Sequence, residues 1–171
     1  MEKRQLPLPE MERRIRAHFG SDVEGFEDQH GHAVVSISAT RYRELAVFLR
    51  DDPELALDFL DFIAGVDLGE TGIQIVTHLY STEHGHHVRL KVQCAATDPV
   101  CPTLSDIYAG ANWHEREAAE MFGVAFEGHP YPVKLLLSEG FEGHPLRKDF
   151  ELMSREAKPW PGEAEGGEEA E

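Results

Sequence analysis

The sequence of 171 residues is poor in cysteine and in basic side chains. It has two cysteines, Cys94 and Cys101, and 16 Lys and Arg against 32 Asp and Glu. The cysteines are too few and too widely spaced to hold a structural zinc ion or an iron–sulfur cluster alone, so we predict buried or incidental thiols. A formal net charge of −16 argues against a nucleic-acid partner, because phosphate contacts need a basic surface.

Long apolar runs are also missing. No stretch approaches the roughly 18 apolar residues of a membrane-spanning helix, and the N-terminal residues MEKRQLPLPEM lack the features of a secretory signal. We therefore expect a cytoplasmic protein that does not cross a membrane by itself. Near the C-terminus, PGEAEGGEEAE has neither a basic nor a large apolar residue, which predicts a disordered acidic tail over residues 159–171.

The rest of the chain is long enough for one soluble domain with a core. Met11, Ile15 and Phe19 recur at four-residue spacing, which predicts an amphipathic helix that ends at Gly20. Residues 33–38 read as a strand. Two more helices are predicted after it. The first has an apolar face of Leu45, Phe48 and Leu49, and the second starts at Asp52 and Pro53 and has an apolar face of Leu55, Phe59, Phe62, Ile63 and Val66.

The apolar period then changes from 3.6 residues to 2. Alternation over residues 73–80 and again over 88–94 predicts two antiparallel strands, joined by the loop STEHGHH. We therefore predict an α+β fold for residues 1–122, with a mixed or antiparallel sheet and helices packed on one of its faces. The loop histidines His84, His86 and His87 admit a metal site, but an exposed polar hairpin tip explains them equally and is the interpretation we favour.

A third informative region is a helix predicted over residues 113–122, with Asn112 as its N-cap and Gly123 as its stop. Glu115 falls within the apolar arc of this helix. Its carboxylate is expected either to fold back onto the Asn112 backbone N–H or to contact a partner protein. Arg116 lies one turn before Glu120, and these two side chains are expected to pair.

The same helix admits a catalytic interpretation. His114, Glu115 and Glu117 have the side chains of a general acid–base hydrolase. Consecutive helix residues diverge by 100°, however, and a general acid and a general base must converge on one pocket. The sequence also has no HExxH motif and no nucleophile elbow.

The pentapeptide FEGHP occurs twice, at residues 126–130 and 141–145. Each Gly permits a backbone direction that other residues resist, and each His-Pro bond favours extended backbone, so each copy is predicted to be a stiff corner. The apolar residues 133–137 between them read as a short strand. His129 and His144 admit a metal site, but we expect them to be hydrogen-bonded turn residues.

These corners suggest an extended partner-binding arm over residues 123–158. Because its middle is apolar and its end is charged, the arm is expected to bind in a groove on another protein. The two FEGHP corners would be the two points of attachment, which we call the two anchors of one clamp. The alternative is that the arm folds back on its own sheet.

The segment WHEREAAEMFGVAFEGHP, followed by KLLL and then FEGHPLRKDF, resembles the signature region of the 30 kDa subunit family (C-type subunits) of respiratory complex I, the NADH:quinone oxidoreductase. FIAGVDL, THLYS, VRLKV and PTLSDIYAGANW also resemble the family in order and spacing, so the likeness covers roughly residues 30–150. The chain departs from the family pattern at Tyr131, Pro132 and Val133, where the family usually carries Asp-Leu and a basic residue.

The resemblance implies a non-catalytic scaffold subunit of the quinone-reducing module, on the cytoplasmic side of the cell membrane and peripheral to it. The chain itself would bind no cofactor, while NADH, FMN, iron–sulfur clusters and quinone would belong to the whole complex. Its partners would be the large quinone-site subunit of the 49 kDa type and neighbouring iron–sulfur subunits. The residues that it places at the partner interface are Glu115, Arg116, Glu117, Glu120, Phe126, Glu127, Gly128, His129, Pro130, Glu142, Gly143, His144, Pro145, Leu146, Arg147, Lys148 and Asp149.

Three alternatives stay open. One is the equivalent subunit of a related membrane-bound hydrogenase, or of a quinone oxidoreductase with another electron donor. The second is the stand-alone hydrolase. The third is a monomeric adaptor unrelated to respiration.

Overall fold

The computed structural model describes residues 5–151. Its helices are α1 (Leu8–Phe19), α2 (Ala39–Asp51) and α3 (Ala111–Phe122). Its strands are β1 (Val23–Gln29), β2 (His32–Ile37), β3 (Phe59–Asp67), β4 (Ile73–Tyr80), β5 (His87–Cys94), β6 (Val100–Pro102) and β7 (Ala125–Glu127). Short 3-10 turns follow α1 at Gly20–Asp22 and precede β4 at Gly69–Thr71.

Five strands form one mixed sheet in the order β1-β2-β5-β4-β3. β2 and β5 are parallel, and the other neighbouring strands in this sheet are antiparallel. β6 and β7 form a separate pair of parallel strands, which joins the start of the predicted arm to the body of the protein. The predicted α+β fold is therefore confirmed.

The core lies between α1, α2 and one face of the sheet. Met11, Ile15 and Phe19 reach it from α1, as their spacing predicts. β4 and β5 alternate between buried and half-exposed residues, also as predicted. Thr77 is a buried polar residue on β4, and its hydroxyl shares a hydrogen bond with the hydroxyl of Tyr42 from α2. This satisfies a polar group that burial alone would destabilise.

The third predicted helix is wrong, because Phe59–Asp67 is strand β3 at one edge of the sheet. A bulge between Leu60 and Phe62 shifts the strand register, so that Leu60 and Ile63 are both buried although they are three residues apart. That spacing imitates a helix. Asp52 caps a turn and not a helix, since its carboxylate accepts the backbone N–H of Glu54 at 2.9 Å.

The loop histidines have separate partners. The ring Nε2 of His84 lies 2.8 Å from the Pro53 carbonyl oxygen, and that of His86 lies 2.6 Å from the Leu55 carbonyl oxygen. His86 is only 5% exposed, so the predicted exposed hairpin tip is wrong at this residue. Within residues 5–151, no group of three or more histidine, cysteine or acidic residues has an arrangement that could hold a metal ion.

Strand β1 was not predicted because Val23 is its only buried residue, as expected for a polar edge strand. Cys94 and Cys101 are buried free thiols, as predicted. Across the described residues, every helix is too short or too polar to span a membrane. The predicted acidic tail, 159–171, and the last residues of the predicted arm lie outside the described residues.

Candidate functional site

The candidate site is α3 together with the chain that follows it. The helix begins at Ala111 after Gly110, which provides no side-chain cap, so the predicted Asn112 N-cap is wrong. The predicted stop is confirmed, because Gly123 has left-handed backbone and its N–H donates to the Ala119 carbonyl oxygen. A side chain at residue 123 would also have its Cβ 2.7 Å from the ring of His144.

Glu115 fixes the inner side of α3 to the loop after β6. It is fully buried, and its carboxylate accepts the Thr103 hydroxyl and the Leu104 backbone N–H, the latter at 2.6 Å. The predicted return of this carboxylate to the Asn112 N–H is therefore wrong. Burial raises the pKa of Glu115 to about 7, although these two hydrogen bonds favour the charged form and limit the increase.

The two FEGHP copies turn at glycines with the same backbone conformation, and the histidine of each copy forms a hydrogen bond with α3. Gly128 and Gly143 have φ values of 82° and 83°, the left-handed region that the sequence predicts for glycine here. The ring Nε2 of His129 donates to the Asn112 carbonyl oxygen at 3.1 Å. The ring Nδ1 of His144 donates to the Glu120 carbonyl oxygen at 2.8 Å. The expectation that both histidines are hydrogen-bonded turn residues is confirmed.

The two accepting carbonyl groups lie at opposite ends of α3. They are eight residues apart, which corresponds to about 12 Å along a helix axis. The doubled pentapeptide therefore forms two anchors of one clamp, and the clamp closes on the chain's own helix. The Nε2 atom of His129 also lies 3.9 Å from the Glu115 carboxylate, on the inner side of the first anchor.

The chain between the anchors is bound by charged side chains of α3. The Glu120 carboxylate accepts the backbone N–H groups of Leu135, Leu136 and Leu137 at 3.1, 2.8 and 2.6 Å. Burial disfavours the charged carboxylate, but the three amide hydrogen bonds outweigh it and hold the pKa of Glu120 below its usual value. The predicted strand over residues 133–137 is wrong, since three successive amides converge on one carboxylate.

Arg116 makes the matching contact on the same face of α3. Its guanidinium donates to the carbonyl oxygens of Val133 and Lys134 at 2.8 and 3.0 Å. The predicted pairing of Arg116 with Glu120 is thus replaced by two contacts to the arm backbone. The sequence contains one signal for these contacts. Two charged residues, Arg116 and Glu120, lie one turn apart on α3, and the apolar segment 133–137 has no strand to pair with.

The arm continues past the second anchor along the end of the sheet. The Leu146 N–H donates to the Met121 carbonyl oxygen at 3.2 Å, and the Arg147 guanidinium donates to the Ala96 carbonyl oxygen at 3.3 Å. The Lys148 N–H donates to the Asp67 carboxylate at 2.6 Å, and this contact is the main reason that the pKa of Asp67 is lowered. Residues 144–148 are therefore tied to both α3 and the sheet.

The outer surface of α3 and the arm exposes large apolar side chains. Trp113 is 60% exposed and Tyr131 is 58% exposed, and the Arg116 guanidinium carbon lies 5.3 Å from the centre of each ring. Leu136 and Leu146 are 62% and 55% exposed. An apolar surface of this kind is typical of a protein contact.

The predicted interface residues divide into three groups, buried, exposed and half-buried. Glu115 and Glu120 are buried and bind within the chain, while Glu117 is exposed beside them. The other exposed members are Glu127, Gly128, Pro130, Glu142, Gly143, Leu146, Lys148 and Asp149. Phe126, His129, His144, Pro145 and Arg147 are half-buried, as is Arg116. The three residues of the hydrolase interpretation do not form one pocket, because Glu115 faces the core and Glu117 faces outwards.

The fold and this site together define a class of small α+β proteins in which a long C-terminal segment is clamped to the last helix and presents an apolar outer surface. The particular family follows from comparison with known proteins. Residues 35–156 match the family described as "Respiratory-chain NADH dehydrogenase, 30 Kd subunit", and the chain belongs to this family.

Similar proteins agree with this assignment. The chain is 41% identical over 153 residues to the C subunit of the NADH-quinone oxidoreductase of Roseiflexus castenholzii, covering 88% of each chain. It is 41% identical to the C 2 subunit of the NADH-quinone oxidoreductase of Rhizobium meliloti, covering 89% of this chain and 84% of the relative. The sequence resemblance to the 30 kDa subunit family is therefore confirmed.

Two solved structures share the fold. The trypsin-resistant fragment (1-134) of Nqo5 superposes with a TM-score of 0.63 at 26% identity, covering 74% of this chain and 99% of that one. A chain of the membrane-bound sulfane sulfur reductase, an archaeal respiratory membrane complex, superposes with a TM-score of 0.69 at 24% identity, covering 85% and 86%. At that identity the second likeness concerns the fold alone.

Proposed function

We propose that this chain is a structural subunit of an NADH-quinone oxidoreductase and that α3 and the arm bind the large quinone-site subunit. The observation that carries the proposal is the exposed aromatic pair Trp113 and Tyr131 on a segment that the chain holds in place by hydrogen bonds. A preformed apolar surface binds a partner without the entropic cost of ordering a free segment.

In this proposal the redox chemistry belongs to other subunits. NADH, FMN, the iron–sulfur clusters and quinone would be bound elsewhere in the complex, and this chain would contribute no catalytic residue. Residues 1–122 would form the scaffold body, residues 123–158 the partner-binding arm and residues 159–171 an acidic tail. The protein would lie on the cytoplasmic side of the cell membrane and reach the membrane only through its partners.

A second candidate is the equivalent subunit of a membrane-bound complex with another electron donor. The fold shared with the sulfane sulfur reductase complex favours keeping this candidate. The two candidates differ in the proteins that surround this chain and not in the role of the arm. Co-purification with an NADH-binding flavoprotein would support the first candidate.

Affinity purification of the tagged full chain from native membranes tests the proposal. We expect the wild-type chain to co-purify with a large quinone-site subunit and with NADH:quinone reductase activity. Arg116→Ala and Arg147→Ala should lower both by loosening the arm. A wild-type chain that is purified free of such a partner would contradict the proposal. If a variant complex stays intact on a native gel while its turnover is lost, the arginine has a chemical role instead.

A further inference from the structure

A cavity of about 500 Å³ lies between α3 and the arm. Its lining includes Ala119 and Gly123 of the helix segment and Phe126, Pro132 and Leu137 of the following chain. The volume lies within the usual range for ligand pockets, so a large side chain has room to enter, and it corresponds to on the order of 15 water molecules. Arg116, whose guanidinium lies beside the exposed rings of Trp113 and Tyr131, also lines this cavity.

The way the arm is held explains why the cavity exists. Glu120 and Arg116 bind the arm through its backbone, so the arm stands off the helix at the length of those side chains. On the helix side, Ala119 and Gly123 extend no long side chain into this space, and Gly123 cannot carry one because a Cβ there would lie 2.7 Å from the His144 ring. The cavity between α3 and the arm is therefore lined in part by apolar groups. An apolar group that binds there displaces water, and this stabilises the bound state.

The charged side chains that line the cavity indicate which charge a bound apolar group is expected to have beside it. Arg116 and Lys134 both line the cavity, and their hydrogen bonds go to neutral backbone carbonyl groups, including the Phe141 carbonyl oxygen at 2.7 Å from Lys134 Nζ. Two carboxylates, those of Glu115 and Glu120, also line the cavity, but both are buried and accept hydrogen bonds from within the chain. On a chain with a net charge of −16, this is a locally basic opening that favours a carboxylate.

We propose that this cavity receives a large apolar side chain of a partner polypeptide, and that an acidic residue next to that side chain faces Arg116 and Lys134. The proposal deepens the proposed function, because it names the contact that the α3 and arm surface makes. It also assigns Ala119 as the residue whose small size keeps the cavity open. A side chain that fills such a pocket at the centre of an interface typically dominates the binding energy.

The test is Ala119→Phe, which narrows the cavity from the helix side and keeps Arg116, Glu120 and both histidines in the sequence. The matched control is Ala17→Phe, which puts the same side chain on an exposed position of α1. Tagged full-length chains are expressed in the native cells and the co-purified partner is quantified. We expect Ala119→Phe to keep the wild-type circular dichroism spectrum and to recover at least tenfold less partner, and Ala17→Phe to recover the wild-type amount. Ala119→Leu, a smaller filling, should give an intermediate loss if Ala119→Phe disturbs folding.

Wild-type recovery with folded Ala119→Phe and Ala119→Leu would overturn the proposal. So would a bound small molecule in native mass spectra that Ala119→Phe removes while assembly is intact, or a wild-type dimer that Ala119→Phe dissociates. These results are separable from failure of the proposed function. If Arg116→Ala reduces assembly and Ala119→Phe does not, only the cavity inference fails. If neither the wild type nor any variant recovers a partner, the proposed function itself fails.

Discussion

The sheet domain and the arm are held by different forces. In the domain, Leu45, Ile75 and Leu90 are fully buried, and burial of apolar surface is its main source of stability. From residue 125 to residue 151, no residue is buried as a whole, although the side chain of His129 is only 2% exposed. The arm is held instead by hydrogen bonds from α3 and from the end of the sheet. A segment can therefore be fixed in place with little apolar burial when a neighbouring helix supplies charged side chains.

α3 belongs to both regions, and this explains its composition. Ala118 and Phe122 pack towards the body, and Glu115 binds the loop after β6. Arg116 and Glu120 face the arm. Because the arm contributes little to the core, we expect it to open locally at a lower free energy than the domain.

The largest effect is expected in the domain. Leu90→Ala removes a fully buried side chain from the central strand β5, which should lower the free energy of unfolding by about 2–5 kcal/mol. Denaturant titration measures this. Lys91→Ala, on the half-exposed face of the same strand, should change it by less than about 0.5 kcal/mol. Equal effects of the two variants would contradict the assignment of the core.

A pH effect at Glu115 tests the junction between the two regions. Its folded pKa of about 7 lies above the ordinary value of 4.5, so the folded state binds the proton more tightly than the unfolded state. This stabilisation is fully present below pH 4.5 and is lost as pH rises towards 7 and above. Glu115→Gln should remove the dependence, which is on the order of 2 kcal/mol between about pH 5 and pH 8. Parallel stability curves for wild type and Glu115→Gln over this range would contradict it.

The attachment of the arm is tested by Glu120→Ala. Loss of a carboxylate that accepts three amides should lower the local stability of the arm by about 1–3 kcal/mol and leave the domain folded. Limited trypsin digestion measures the effect as faster cleavage after Lys134. Glu117→Ala, an exposed position nearby, is the control and should be cleaved at the wild-type rate. If both variants are cleaved equally, Glu120 does not hold the arm.

The smallest effect on stability is expected at Trp113. Because its ring is 60% exposed, Trp113→Ala should lower the free energy of unfolding by less than about 1 kcal/mol. The same change should reduce partner recovery, since exposed aromatic side chains dominate many interfaces. A loss of about 3 kcal/mol or more, as is typical of a buried tryptophan, would contradict the outward placement of the ring.

Much of the fold could be predicted from local patterns. The four-residue spacing in α1, the alternation in β4 and β5 and the end of α3 at Gly123 all appear in the structure. β3 could not be predicted because its bulge places Leu60 and Ile63 on one face at helical spacing. Strand pairing at a bulge depends on the neighbouring strand, which a local pattern does not contain.

The site was predicted in part. Two glycine corners and two hydrogen-bonded histidines follow from the doubled FEGHP. Their common attachment to α3 could not be predicted. Both histidines donate to backbone carbonyl groups, and because every residue type has such a group, the sequence does not show which residue is the acceptor. Glu120 was expected to pair with Arg116, since the two lie one turn apart. The arm instead supplies three amides, which bind the carboxylate better than one half-buried arginine does.

The central claim is that the isolated chain already clamps its arm to α3. Amide hydrogen exchange of the purified full-length protein tests this at the N–H groups of Leu135, Leu136 and Leu137, which the Glu120 carboxylate accepts. We predict that these three amides exchange at least tenfold more slowly than in an unfolded peptide and that Glu120→Ala removes their protection. Exchange at the unfolded rate in the wild-type chain would show that the arm is free, and it would contradict the clamp.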